Sequence, residues 1–378
     1  MTGTRILHVA QPTDAGVAHV AVDEAARQAA AGHDVHLACP DGELVELARR
    51  AGLTRHAWQA TRSPGPSTLR EARALARIVG SVDPDLVHLH SAKAGLAGRL
   101  AVRGRRPTVF MPHAWSWNGA DGPVSRLAER WERLAARWTD VVVCVSEAER
   151  DDGRAHGVRA PMTVLPNWVD LAELGRDLPG SRAAARGHLG VGAEPLAVCV
   201  GRLAQQKGQD VLLAAWPQVR EALPTAGLVL VGDGPERTAV EAAAARLEGV
   251  RVLGARPRTE CLTWSRAADV VVVPSRYEGM ALVPLEAAAL GTAVVASDVE
   301  GMAVGAPDRV RRLVPVEDVD ALGKALVEAL RDRDRAAAHG EEAAAWSRVH
   351  GTRAADAMLQ VYADVLEARD SSSDSRRA

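Results

Sequence analysis

Lysine is almost missing from this chain: Lys93, Lys207 and Lys324 are its whole complement, although arginine is abundant. A lysine inside a motif is therefore conspicuous. Neither sign of charge is in excess, since 46 Lys and Arg stand against 48 Asp and Glu for a formal net charge of −2. A general nucleic-acid binder needs surplus cations to displace counterions, so no nucleic-acid partner is expected. Cysteine is sparse as well. Cys39, Cys144, Cys199 and Cys261 lie far apart without a CxxC pair, and the first three sit in or beside apolar runs. Buried, reduced thiols fit that pattern. Long apolar segments are also absent, none approaching the roughly 20 residues that cross a bilayer. The opening MTGTRILHVAQP has strand character without the basic-then-apolar layout of a secretory leader, so a cytoplasmic location is expected.

What the sequence does contain is a rhythm. Its 378 residues exceed one ordinary core and suit two domains. Short Val-, Ile- and Leu-rich runs alternate with Ala-rich helical stretches. The strand candidates are 4–10, 34–39, 85–90, 107–112, 140–145 and 162–165, then 195–200, 227–231, 250–253, 269–273, 292–297 and 310–314. Continuous apolar strands separated by helices indicate parallel sheets covered on both faces. The expected fold class is α/β, with two doubly wound, Rossmann-like domains facing across a cleft. The run restarts after a stretch rich in Gly, Pro and charge. This places an N-terminal domain at 1–175, a linker at 176–194 and a C-terminal domain at 195–350. A terminal helix at 351–369 carries Met358, Val361, Tyr362 and Val365 on one side and is expected to pack back towards the N-terminal domain. The polar residues 370–378 read as a disordered tail.

Open α/β sheets bind ligands beyond the carboxyl ends of their strands. After strand 195–200 comes Gly201-Arg202-Leu203-Ala204-Gln205-Gln206-Lys207-Gly208, then a helix. Two cations beside the positive end of a helix suit a diphosphate, although solvated loop residues fit too. Strand 227–231 ends in Gly232-Asp233-Gly234-Pro235. This is not a dinucleotide fingerprint, because Arg237 stands where GxGxxG requires glycine. A turn for close ligand approach and a plain turn both fit it. Strand 269–273 leads into Glu278-Gly279-Met280-Ala281-Leu282, with a helix beginning near Pro284. Amides at the helix start would face a phosphate, and Glu286, eight residues after Glu278, would accept hydrogen bonds from ribose hydroxyls. Pairing of Glu286 with an arginine is the plain structural alternative.

In this order GRLAQQKG, GDGP and Glu278-x7-Glu286 resemble the retaining glycosyltransferases of family 4, which adopt the two-domain GT-B fold. The resemblance spans nearly the whole chain. It implies that Arg202 and Lys207 hold the donor diphosphate, that Glu286 grips the ribose and that Glu278 contacts the transferred sugar. The base would rest near strand 250–254 and Arg256. The family motif is usually Glu-Gly-Phe-Gly; Met280 and Ala281 depart from it, keeping backbone donors while altering the sugar pocket. Gly16, after the first strand, stands where the family often carries paired glycines against the donor phosphate.

His113 follows strand 107–112 and resembles the family's cleft histidine, a hydrogen-bond donor to the donor sugar. Trp115 and Trp117 fit either stacking on a sugar or acceptor, or packing. His88 and His90 share a strand face, but without a third ligand at suitable spacing they read as sheet-end packing, and no metal or other cofactor is expected. Lys93 is a further, weaker cleft candidate. Helix 124–138 aligns Leu127, Trp131, Leu134 and Trp138, with Arg126, Arg130, Arg133 and Arg137 alongside; Arg99, Arg103, Arg105 and Arg106 add charge nearby. Two readings fit: a stripe that covers the sheet, or a basic face for peripheral contact with the inner membrane surface near a lipid-linked acceptor.

The expected activity is transfer of a sugar from a UDP- or GDP-linked donor to an acceptor hydroxyl, with retention, in polysaccharide or glycolipid synthesis. A nucleotide-sugar 2-epimerase of the same fold and a non-catalytic sugar-nucleotide binder are the alternatives. The acceptor itself is not specified by any motif.

Overall fold

In the computed structural model each apolar run named above forms a β-strand, with helices between them. The structure describes residues 3–374 apart from 12, 14, 62, 119–121, 170–173, 176 and 303–310. The chain divides into two compact units, Met1–Asn167 with Arg353–Ala378, and Trp168–Thr352.

In the first unit the strands are β1 (Arg5–Ala10), β2 (Asp34–Cys39), β3 (Thr54–Ala57), β4 (Leu86–His90), β5 (Thr108–Met111), β6 (Val141–Cys144) and β7 (Met162–Val164). They form one parallel sheet in the order β3-β2-β1-β4-β5-β6-β7. Beyond Arg5, every residue of β1, β4, β5 and β6 is buried, as strands covered by helices on both faces must be. Only β3 escaped the sequence pattern. Its TRHA is half-exposed at the sheet edge, with no apolar run, and is fixed by pairing with β2, where His36 and His56 share a 2.9 Å hydrogen bond.

The second unit holds β8 (Leu196–Val200), β9 (Gly227–Val231), β10 (Val250–Val252), β11 (Val270–Val273), β12 (Ala293–Ser297) and β13 (Arg311–Val314). They too are parallel, in the order β10-β9-β8-β11-β12-β13. In both sheets the winding reverses once, between β1 and β4 in the first and between β8 and β11 in the second. Ligands of doubly wound sheets sit outside the strand ends at such reversals. The loops leaving β8 and β11 are the two that carry the diphosphate and carboxylate motifs.

Three boundaries differ from the sequence reading. The chain passes from one unit to the other after Asn167, not after 175. Inside the expected linker 176–194 lies a helix, Arg182–Leu189, capped by the Ser181 hydroxyl and ended by Gly190 at φ 63°. It is part of the second unit's core, because Ala185 and Arg186 are buried and Arg186 pairs at 2.7 Å with the fully buried Asp269. The polarity that resembled a linker is this ionic anchor. The terminal helix also starts earlier and ends later than expected, at Arg333–Asp374, so residues 370–374 of the expected tail are helical. Residues 375–378 lie outside the described ones. Met358, Tyr362 and Val365 are buried, and Arg369 holds Asp140 at 2.6 Å within the first unit.

Cys39, Cys144 and Cys199 are buried and all four cysteines are free thiols. Burial pushes Cys199 up to about 12, so it stays protonated.

Candidate active site

At the second unit's reversal, two loops are tied together by backbone. Gly208, at φ 65°, comes so near β11's exit that an added Cβ would lie 2.0 Å from the Pro274 carbonyl oxygen. Arg276 donates from its backbone to the Gln206 carbonyl at 2.8 Å and from Nη1 to the Gln205 carbonyl at 2.7 Å. Its guanidinium also spans Asp210 and Glu317, and those partners raise its pKa, the Asp210 hydrogen bonds most. The Gly232-Asp233-Gly234 turn serves the same assembly. Side chains at Gly232 and Gly234 would strike the Gly201 and Leu203 carbonyls at 1.9 and 2.2 Å, and Leu203 donates to the Asp233 carbonyl at 3.0 Å. These glycines admit protein backbone; the open question of turn or ligand approach resolves towards the turn.

On this frame Lys207 Nζ meets Glu278 Oε1 at 2.5 Å, and the Ser275 hydroxyl donates to the same oxygen at 2.6 Å. Glu278 is thus nearly buried yet keeps its second oxygen uncommitted among the described residues. Arg202 is exposed on the same loop and makes no ion pair among the described residues; its carbonyl accepts from Gln209. After Gly279 and Met280, Ala281 is the N-cap of the helix Leu282–Ala289 and offers no side-chain cap. The amides of Leu282 and Val283 are first-turn donors that a helix cannot satisfy from within. Gly301 packs against this loop, 2.7 Å from the Glu278 and Gly279 carbonyls if given a Cβ.

Glu286 lies on that helix and is bound by an arginine, but not by Arg256. Arg258 reaches Glu286 Oε1 at 2.7 Å from Nη2 and 3.2 Å from Nε, leaving Oε2 uncommitted among the described residues. Arg256 instead pairs with Glu260 at 3.0 Å, one helical turn on, beside a hollow of about 820 Å³ that Leu253, Pro257 and Trp264 also line. Sequence reading missed Arg258, Ser275 and Arg276. Only the neighbouring motifs hinted at them: Arg258 and Arg276 meet carboxylates 28 and 66 positions away, and Ser275 is three residues before Glu278.

In the first unit Gly16 lies in the first turn of the helix Ala15–Ala30, which puts its backbone among that helix's leading amides. His113 leaves β5 at φ 55° and Ala114 follows at φ 140°, a conformation rare for residues with side chains and characteristic of sites where geometry is imposed. The tryptophans after it are not free for a ligand. Trp115 and Trp117 are 2 % and 5 % exposed, stack on each other at 4.7 Å, and Trp117 stacks on His156 at 4.6 Å. Their indole N–H groups donate to the Glu149 carbonyl and to Asp152. Lys93 is likewise structural, buried and paired with Glu71 at 2.7 Å.

His88 and His90 do more than pack. His90 Nδ1 lies 3.3 Å from His113 Nε2, His90 Nε2 lies 2.9 Å from His8 Nδ1, and His8 Nε2 lies 2.6 Å from the Gln28 amide oxygen. Gln28 then donates to the Tyr362 hydroxyl at 3.0 Å, which is 2.5 Å from His88 Nδ1; Glu24 stands 3.5 Å from that nitrogen. Burial drives every charge out of this chain. His8 and His113 are pushed down to about 4, His88 and His90 lie well below the usual imidazole range, and Glu24 is pushed up to about 8. Ligand atoms of His8, Glu24, His88 and His90 lie within 4.8 Å of one another, a grouping the sequence did not disclose and one that bears on metal binding.

The stripe of the helix Gly122–Ala135 is divided: Trp131 and, just beyond the helix, Trp138 are half-buried, their rings 6.1 Å apart, while the leucines face outwards. Val124, Leu127 and Leu134 are 63 %, 67 % and 44 % exposed, so they do not cover the sheet. Arg126, Arg130 and Arg137 are exposed beside them, and Arg133 pairs with Glu129 at 2.9 Å. Arg99 does not join this surface, because it is buried against Glu132 at 2.7 Å. Among the described residues no helix is long and apolar enough to cross a membrane.

Known proteins resemble this chain in sequence and fold. Residues 15–173 match the family model described as Glycosyltransferase Family 4, and residues 194–332 match Glycosyl transferases group 1. The chain is 33 % identical over 341 residues to the GDP-mannose-dependent alpha-(1-6)-phosphatidylinositol monomannoside mannosyltransferase of Mycolicibacterium smegmatis, covering 83 % of this chain and 86 % of that one. It is 34 % identical over 316 residues to the D-inositol 3-phosphate glycosyltransferase of Saccharomonospora viridis, covering 75 % and 71 %. Among solved structures, sucrose-phosphate synthase of Thermosynechococcus elongatus superposes with a TM-score of 0.80 at 23 % identity, covering 97 % of this chain and all of that one. An Anabaena protein solved with UDP and glucose gives 0.80 at 22 %, covering 95 % and 99 %. The two parallel-sheet α/β units are therefore those of the GT-B fold, and the chain is an enzyme belonging to the family 4 glycosyltransferases.

Proposed function

We propose that this glycosyltransferase moves a hexosyl group, with retention, from a nucleoside-diphosphate sugar to a hydroxyl of an inositol-containing, lipid-linked acceptor. GDP-mannose is the leading donor, because the mycobacterial relative is named for it. The observation that carries the donor site is the meeting, at one sheet reversal, of Lys207, Glu278 and the uncapped helix Leu282–Ala289. Arg202, Lys207 and the first-turn amides, with Gly279, Met280 and Ala281 as their approach, neutralise charge on the leaving diphosphate. Glu286, held through one oxygen by Arg258, accepts from ribose hydroxyls with the other; the hollow beside Arg256 takes the base.

In the reaction the bond from the anomeric carbon to the diphosphate oxygen breaks with its electrons, and the acceptor oxygen bonds to the same face of that carbon. The departing phosphate takes the acceptor's proton. In the second unit Glu278 contacts the sugar as positive character grows on it; in the first, His113 is a hydrogen-bonding group for a sugar hydroxyl. Fixed cations supply the neutralisation, so no metal is required for the step. Val124, Leu127 and Leu134, edged by arginines, seat the first unit on anionic lipid; the protein is then peripheral at the cytoplasmic membrane face.

The test is a thermal-shift screen with GDP-mannose, UDP-glucose, UDP-N-acetylglucosamine and ADP-glucose. It is followed by turnover on vesicles containing phosphatidylinositol or its mannoside, with and without EDTA. A bound donor raises the melting temperature in proportion to its affinity. GDP-mannose should give the largest shift, and turnover should survive EDTA. No shift with any donor would remove the proposed site; EDTA-sensitive turnover would remove the metal-free step.

A further inference from the structure

The hydrogen-bond chain behind His113 has a direction. Gln28 turns its amide oxygen to His8 Nε2 and its nitrogen to the Tyr362 hydroxyl. An amide oxygen only accepts, so His8 carries its proton on Nε2. A neutral imidazole has one N–H, which makes His8 Nδ1 a lone pair, and His90 must donate to it from Nε2 across 2.9 Å. His90 Nδ1 is then a lone pair as well, facing His113 Nε2 at 3.3 Å. Every proton in the chain is assigned by the group before it. His113 donates inwards from Nε2 and has a bare Nδ1 left for its other side. Desolvation of all three rings enforces the one-proton condition on which each link depends.

We propose that Gln28, His8 and His90 are positioning residues that hold His113 as its Nε2–H tautomer, so that His113 Nδ1 accepts a hydrogen bond from a hydroxyl of the transferred sugar. The sugar contact rests on the function proposed above; the tautomer does not. The direction reverses the role that the sequence suggested for His113, that of a donor. The arrangement also explains three otherwise costly features together: rings packed 4.0 to 5.6 Å apart, their complete burial behind His113, and the left-handed backbone that turns His113 onto His90.

A metal ion is the competing use of these groups. Zinc bound tetrahedrally at about 2.0–2.1 Å spaces its nitrogen ligands about 3.3 Å apart. Here the His8 and His90 nitrogens are 2.9 Å apart, as in a shared proton, and His88 Nδ1 is engaged by Tyr362 at 2.5 Å. Metal capture would break these contacts, whereas the relay uses them.

The test reads the tautomer directly, by long-range proton–nitrogen correlation on the full chain with histidine labelled in nitrogen-15. In the wild type His113 should show the Nε2–H pattern alone. His90→Phe removes the acceptor; His113 should become a mixture of tautomers, and kcat should fall about five- to tenfold, the scale of one lost hydrogen bond, with donor KM unchanged. His90→Asn places an amide oxygen near the lost Nδ1 and should restore the tautomer and most of kcat. Gln28→Leu, two links away, repeats the measurement should His90→Phe fail to fold. His113 found as Nδ1–H, a tautomer indifferent to these changes, or zinc binding that displaces the ring signals would overturn the relay. A tautomer that shifts in His90→Phe without any loss of kcat would leave the relay standing and remove the sugar contact.

Discussion

The two units handle charge in opposite ways at equivalent places in their sheets. At the β8/β11 reversal the second unit keeps ions: Lys207 against Glu278, Arg258 against Glu286, Arg202 exposed. At the β1/β4 reversal the first unit's histidine chain keeps none, and the Lys93–Glu71 pair just past β4 is buried. The chain's imidazoles and the Glu24 carboxyl are neutral at physiological pH, and exposed arginines stand elsewhere on the unit, among them Arg126 and Arg130 of the outer helix Gly122–Ala135. The same topology therefore supplies two kinds of site. Ions held by backbone-tied loops suit a ligand that arrives charged, such as a diphosphate. A desolvated, directional hydrogen-bond chain suits a neutral partner, whose hydroxyls must be told apart by donor and acceptor geometry.

The contrast is broken most severely at Lys207. Lys207→Ala should lower kcat by about 10²–10³-fold, the scale seen when a donor to developing charge is removed, while circular dichroism and melting stay near wild type. An unchanged rate would mean that the ionic reversal does not serve the leaving group. Next in size is the outer helix. Leu127→Glu combined with Leu134→Glu should cut binding to phosphatidylinositol-rich vesicles by at least about tenfold, since each apolar side chain contributes about 1.5–3 kcal/mol when buried in lipid. Both residues are exposed, so melting should barely move. Equal binding by the double variant would detach the arginine-edged stripe from any membrane role.

The smallest effect sharpens the neutral side of the comparison. Glu24's folded pKa, about 8, exceeds its ordinary 4.5, so between those values the folded state holds a proton that the unfolded chain releases. Its contribution to stability is fully present below about 4.5 and is lost as pH rises towards 8. His8 and His113, depressed from 6.5 to about 4, act in the opposite sense: their contribution is present above 6.5 and is lost as pH falls towards 4. Denaturant titrations from pH 6.5 to 8 should therefore show stability declining by about 1–2 kcal/mol in the wild type and staying level in Glu24→Gln. A parallel decline in both would place the titrating group elsewhere.

Much of this was legible in the sequence, and the reasons are local. Apolar runs of four to six residues between Ala-rich segments specify buried parallel strands whatever their neighbours. The order of GRLAQQKG, GDGP and Glu278-x7-Glu286 marked the loops that proved to leave adjacent strands. Missing from view were β3, which is polar and exists through its partner, and the helix inside the supposed linker, whose arginine is buried only because Asp269 waits 83 residues on. Trp115 and Trp117 looked available for a sugar because nothing nearby in sequence shows that their faces are already stacked.

By itself the sequence determined the two parallel sheets, the chain order of the strands and the chemistry at their carboxyl ends, because strand periodicity and turn residues act over a few positions. Tertiary structure alone decided which groups meet. It gave Glu286 to Arg258, turned Leu127 and Leu134 to solvent, and brought His8, Gln28, His90 and His113 into one chain with Tyr362 from the far end. Hydrogen bonds and desolvation depend on distances of about 3 Å between residues tens to hundreds of positions apart, and only a finished fold fixes those.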